Sequence, residues 1–164
     1  MYYINKTFTI ELNNSYKIVY NLLDDYYMFV GRRDSMITVY KHIEEELVSD
    51  CTVTEATKGS WVNLVNPNPD ELSLINILTE IPTDVLKTAL DMEERSHVEL
   101  EDNYIFVVIN IPAIRGNDMY DTVPLGIFLT PDFFITVCLE ESEVLYPFIS
   151  NQLSTFYTYK KTRF

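Results

Sequence analysis

Between Tyr104 and Leu139 the chain spells out three consecutive β-strands joined by turns, and this stretch limits the fold more than any other. Tyr104-Ile105-Phe106-Val107-Val108-Ile109-Asn110-Ile111 is an apolar run of strand length without alternation. Such a run predicts a central strand covered on both faces. Arg115-Gly116-Asn117-Asp118 is a turn, Val123–Thr130 is the next strand, and Pro131-Asp132 turns the chain into Phe133–Leu139. Strands joined this tightly pair antiparallel, so the stretch predicts a meander.

Upstream, Ile37-Thr38-Val39-Tyr40 is a short β-branched strand. Glu44 to Lys58 is polar and reads as irregular, and Gly59-Ser60 turns into a strand at Trp61–Val65. Asn66-Pro67-Asn68-Pro69 stops that strand and starts a helix. Asn68 suits the N-cap, Pro69 the first helical position, and Asp70 and Glu71 the positive end of the helix dipole. Leu72, Ile75 and Leu78 form its apolar stripe. A second helix follows Pro82 with Val85, Leu86, Ala89 and Leu90 on one face, and a last helix is expected from about Glu143 to Tyr159 with Leu145, Phe148, Ile149, Leu153 and Phe156 inward. This order predicts an α/β fold: a mixed, partly antiparallel sheet covered by helices on both faces in α/β/α layers.

Residues 1–35 differ from the rest, being rich in Tyr, Asn, Ile, Lys and Phe, with four acids balanced by four bases. Two readings stand side by side. Arg32-Arg33 is what a ribosome-binding AGGAGG encodes in frame, which makes Met36 a candidate start. Alternatively the segment is a genuine extension, in which Thr7-Phe8-Thr9-Ile10-Glu11-Leu12 alternates like a half-buried strand. The domain proper is expected over residues 36–164.

A formal charge of −13 argues against nucleic acid, whose phosphates need a basic face, and disfavours docking on anionic lipid. No apolar run approaches the roughly 20 residues that span a bilayer, and the N-terminus lacks the apolar core of a signal peptide. The acids concentrate in residues 70–102, where Lys87 and Arg95 are the only bases. That implies one acidic face, either a solvated surface or an attractor of divalent cations. Cys138 lies in an apolar strand pattern and reads as a buried, reduced core residue, consistent with a reducing compartment.

Enzyme chemistry has little to work with. There are four glycines and no phosphate loop, His42 and His97 have no partner at ligand spacing, and no serine sits in a nucleophile elbow. Both histidines read as surface or turn residues, and Trp61 as a packing element rather than a binding platform. Only the acids remain. Asp91, Glu93 and Glu94 are the candidate metal ligands, as hard oxygen donors for a weakly held, hydrated Mg2+. The competing reading is that Arg95 bridges their carboxylates to fix the turn from helix to strand. No tightly bound cofactor is expected.

Four ordered patterns carry a resemblance. They are Trp61-Val62-Asn63-Leu64 with Asn66-Pro67, Asp91-Met92-Glu93-Glu94-Arg95, the Tyr104–Ile109 run, and Val123-Pro124-Leu125-Gly126-Ile127-Phe128-Leu129-Thr130 leading into Ile135-Thr136-Val137. Together they resemble the cytoplasmic N-terminal domain of CorA-like magnesium transporters, over about residues 36–164. The resemblance implies an α/β/α layered cytosolic funnel domain of a pentameric divalent-cation channel, carrying Mg2+ and in many members Co2+ or Ni2+. Lys160-Lys161-Thr162-Arg163-Phe164 looks like the approach to the stalk helix. Neither the membrane helices nor the Gly-Met-Asn motif that follow in the family are present, so the chain is expected to be a truncated part of a membrane protein, monomeric in isolation.

Two departures bear on metal. The family's acidic pair at the end of the second helix, which binds regulatory Mg2+ between sister subunits, falls here on Lys87 and Thr88. After Arg95 stand Ser96 and His97 where Pro and a basic residue are usual. Asp91 is near enough in sequence to act as a weak substitute. The expected function is thus a regulatory domain, not an enzyme, at the cytoplasmic face of the membrane. The alternatives are a stand-alone soluble interaction module or a small metal-dependent hydrolase using the acidic cluster.

Overall fold

The structure, a computed structural model, describes residues 7–12, 16–21, 26–30, 36–43, 46–51, 53, 56–115, 119–150, 152, 153 and 155–158. Strands β1 (Thr7–Leu12), β2 (Tyr16–Asn21) and β3 (Tyr26–Val30) form an antiparallel three-stranded sheet of their own. The alternating Thr7–Leu12 segment is therefore a strand. Gly31–Ser35 and Lys160–Phe164, read above as a ribosome-binding sequence and a stalk approach, lie outside the described residues, as does the side chain of Cys51.

The main sheet is built from β4 (Ile37–Ile43), β5 (Glu46–Cys51), β6 (Ser60–Val65), β7 (His97–Leu100), β8 (Ile105–Ile114), β9 (Tyr120–Leu129) and β10 (Phe133–Cys138). Their spatial order is β5-β4-β6-β10-β9-β8-β7. β8, β9 and β10 form the expected meander. β10 then lies parallel to β6, with Ile135 opposite Val62 and Val137 opposite Leu64, and every other pairing in this sheet is antiparallel. It is a mixed sheet, as the sequence implied.

Helix α1 (Pro69–Thr79) begins as its sequence predicts. Asn68 Oδ1 accepts from the N–H groups of Asp70 and Glu71, while Glu71 returns a carboxylate oxygen to the Asn68 N–H at 2.9 Å. This capping box satisfies helix donors that would otherwise lack partners. The other Glu71 oxygen accepts from the Met36 N–H at 2.8 Å, so the buried carboxylate also ties α1 to the start of β4. Helix α2 (Thr83–Thr88) follows after a short link.

The two helices cover one face of the main sheet. Leu72, Leu74, Ile75, Ile81, Leu86 and Ala89 pack there on Val39, Val62, Leu64, Phe106, Val108, Phe128, Ile135 and Val137. The opposite face holds a second cluster of Tyr40, Trp61, Ile111, Ala113, Val123, Leu125 and Cys138 under Leu145, Phe148, Ile149 and Phe156. Trp61 is fully buried and donates its indole N–H to Thr136 Oγ1 at 2.8 Å, the packing role expected of it. Cys138 is buried as well, and its thiol donates to the Pro124 carbonyl.

Four expectations need correction. The strands covered on both faces are β6 and β10, whereas β8 lies beside the edge strand β7 and leaves Ile105, Ile109 and Ile114 exposed. An unbroken apolar run does not distinguish a central strand from one with an open apolar face. The polar stretch after Ile43 contains β5 rather than irregular chain. The last helix is only α3 (Tyr146–Ile149), because Ser150 to Thr158 is rich in Ser, Thr and aromatic residues that favour helix weakly. Its apolar residues still reach the sheet, except Leu153, which is exposed. Finally, His42 is a buried strand residue, not a surface one. Among the described residues no helix is long and apolar enough to cross a membrane.

Candidate functional site

The acidic region begins where α2 ends, and one close contact sets its position. Gly126 on β9 faces Ala89 just beyond α2, and a β-carbon at Gly126 would collide with the Ala89 methyl. Only glycine lets the helix end rest this low on the sheet. From there the chain runs through Asp91 to Arg95 and enters β7.

Asp91 and Glu93 are exposed and Glu94 is half-buried. Their carboxylates serve the local backbone. Asp91 Oδ1 accepts from the Glu93 N–H at 3.0 Å, and Glu94 Oε1 accepts from the Arg95 N–H at 3.1 Å. Glu94 Oε1 also lies 3.4 Å from His97 Nδ1, and that nitrogen donates to the Arg95 carbonyl at 2.7 Å. Since a carbonyl can only accept, Nδ1 of His97 bears a proton. The turn is thus fixed by backbone donors and His97, and not by the Arg95 guanidinium, which pairs with no acid among the described residues. Among those residues no three His, Cys, Asp or Glu side chains are grouped as a metal ion requires.

Lys87 is exposed and Thr88 half-buried, its hydroxyl donating to the Asp84 carbonyl at 3.2 Å. Neither offers a carboxylate at the end of α2. A second gathering of acids was not legible in sequence because it joins α2 to β7 across the fold. Burial first, and then the negative charges of Glu101, Glu99 and Asp84, push the Tyr104 phenol above its usual value. Asp84 of α2 and the carboxylates of Glu99 and Glu101 at the end of β7 therefore share one field around Tyr104. The arrangement is a negative surface able to concentrate hydrated cations by long-range attraction.

The comparisons with known proteins agree with this fold. A family model described as CorA-like Mg2+ transporter protein matches residues 57–160, well over half of the chain. No curated protein matches it. The soluble domain of CorA from Methanocaldococcus jannaschii is similar with a TM-score of 0.58 and 20% identity, covering 73% of this chain and 48% of that one. The complete CorA magnesium transporter of the same organism gives 0.56 and 17%, over 76% of this chain and 38% of that one. The ZntB cytoplasmic domain from Vibrio parahaemolyticus RIMD 2210633 gives 0.55 and 14%, over 68% and 47%. At these identities the likeness is one of fold, and the chain spans less than half the length of each relative.

Proposed function

The chain belongs to the CorA-like Mg2+ transporter family, a family of transporters and not of enzymes, and on that premise we propose that it is the cytosolic regulatory domain of a divalent-cation transporter. The observation that carries this reading is the family match over residues 57–160, which takes in β6, both covering helices and the whole meander. In the proposal, residues 36–164 form the domain, at the cytoplasmic face of the membrane. Sister copies surround a common axis in a pentamer whose cargo is Mg2+, with Co2+ or Ni2+ as further candidates.

Regulation follows from differential affinity. A cation held better between subunits in the closed arrangement shifts the population toward closure as its cytosolic concentration rises. With Lys87 and Thr88 at the end of α2, the attraction falls to the diffuse charge of Asp91, Glu93 and Glu94, with Asp84, Glu99 and Glu101 nearby. A weaker cation effect on closure is the consequence.

Flux into proteoliposomes tests the reading. The complete polypeptide carrying this chain should admit Mg2+, and flux should fall as Mg2+ rises on the cytosolic side. Deleting residues 36–164 should leave any remaining flux indifferent to cytosolic Mg2+. A complete polypeptide that passes no divalent cation, or whose flux ignores cytosolic Mg2+, contradicts the proposal.

A further inference from the structure

On the sheet face away from α1 and α2, a cleft of about 820 Å3 opens between β4, β6 and the segment that follows β10. Its floor carries two polar groups with unused hydrogen-bonding capacity. Asn63 is 5% exposed and Tyr40 is 6% exposed, and both line the cleft. The orientation of Asn63 follows from its neighbours. The Trp61 indole N–H can only donate, and does so to Thr136 Oγ1 at 2.8 Å; Thr136 then donates its single hydroxyl proton to Asn63 Oδ1 at 2.7 Å. That relay fixes the amide oxygen inward and leaves the Nδ2 donors to the cleft, where no described residue accepts from them. The Tyr40 hydroxyl likewise has no hydrogen-bond partner among the described residues, while its ring rests on Trp61 at 4.7 Å.

The rim is acidic. Glu140 is committed to Arg115, which donates to both its oxygens at 2.8 and 2.7 Å. Glu141 and Glu143 are exposed on the same rim and meet no cation among the described residues. Burial, and then the charge of Glu141, push the Tyr40 phenol above its usual value, so Glu141 acts on the floor as well as the rim. The exposed ring of Tyr146 completes the wall.

These groups do not suit a metal ion. An amide N–H presents its positive end to a cation, and water already bound to Mg2+ is a poor acceptor. They suit a ligand with a positive end for the carboxylates and the tyrosine ring, and an uncharged oxygen for the buried amide. A carboxylate at that second position would be repelled by the rim. We propose that the cleft binds a small organic ammonium compound carrying a neutral oxygen acceptor, of the amino-sugar or amino-alcohol class. Its volume is that of sites for small molecules. The inference is independent of the transport reading.

Calorimetric titration of the 164-residue chain with glucosamine tests it, with glucose and N-acetylglucosamine as uncharged comparators. Glucosamine should bind one to one, and the comparators should bind at least about tenfold more weakly, the scale of one lost charge-assisted hydrogen bond. The double variant E141Q/E143Q, whose changes are solvent-exposed, should lose a similar factor while keeping its unfolding midpoint. Tyr40→Phe, which retains the ring on Trp61, should weaken binding through the lost hydroxyl. No glucosamine binding, equal binding of glucose, or undiminished binding by E141Q/E143Q would each overturn the proposal.

Discussion

His42 and Thr158 hold one another across the fold. The His42 N–H donates to Thr158 Oγ1 at 3.0 Å, and Thr158 donates its own N–H to His42 Nδ1 at 3.1 Å. A nitrogen that accepts from an amide carries no proton, so the folded chain holds a neutral imidazole, and burial lowers its pKa from the ordinary 6.5. The unfolded chain therefore binds the proton first. Stability from this pair is complete above the unfolded value and declines as pH falls through about 6.5 toward the lower folded value. Against His42→Asn, whose amide oxygen can accept in place of Nδ1, the wild-type advantage in urea midpoint should shrink between pH 7.5 and 5.5. The loss should be at most about 1.4 kcal/mol per pH unit; an unchanged difference would remove His42 from the account. Nothing near His42 in sequence announces this role, because its partner stands 116 residues away. Asn68 and Trp61 were legible for the opposite reason: a cap is written within three residues, and a large indole heading an apolar strand has few alternatives to burial.

Elements whose periodicity or capping is local are legible in the sequence: α1, α2, β6 and the meander. Those that depend on a neighbour are not. β5 and β7 are edge strands that owe their existence to pairing with β4 and β8, and Phe156, beyond the end of α3, lies on the second core cluster. The contact between α2 and β9 offers a direct check. Gly126→Ala places a methyl against Ala89 and should cost about 1–3 kcal/mol, the usual range for overpacking. Ala89→Gly in that background should recover part of the loss, and a neutral Gly126→Ala would show that the helix end moves freely. At the other boundary, β1–β3 form a sheet separate from the one that contains the domain core. A chain beginning at Met36 keeps the Glu71 interaction, since an α-ammonium group replaces the Met36 N–H as donor. Its urea unfolding should show a loss below about 2 kcal/mol, a small part of a domain's marginal stability. A larger loss would make residues 1–35 integral to the fold.

Taken whole, the molecule is a layered α/β domain with one sheet end left apolar and a strongly negative surface. Val98 and Leu100 on β7 continue the exposed side of Ile105 and Ile109, a face that the sequence alone did not reveal because it reads as core. The charge was legible from composition, but its distribution was not: the carboxylates of Asp91 and Glu94 bend back onto their own turn, while Asp84, Glu99 and Glu101 gather around Tyr104. The metal reading we propose is that this domain meets divalent cations through a diffuse field and not through a shaped coordination site. Diffuse attraction is screened by salt, whereas direct coordination is affected far less. Binding confined to the folded state adds RT ln(1 + [L]/Kd), which stays small while Kd is comparable to the free concentration. A calorimetric Mg2+ titration at low and at moderate NaCl, with Asp91→Ala beside the wild type, measures this. The prediction is weak binding without fixed stoichiometry that fades with salt and changes little in Asp91→Ala. A stoichiometric site that resists salt and disappears in Asp91→Ala would contradict it and make Asp91 a true ligand.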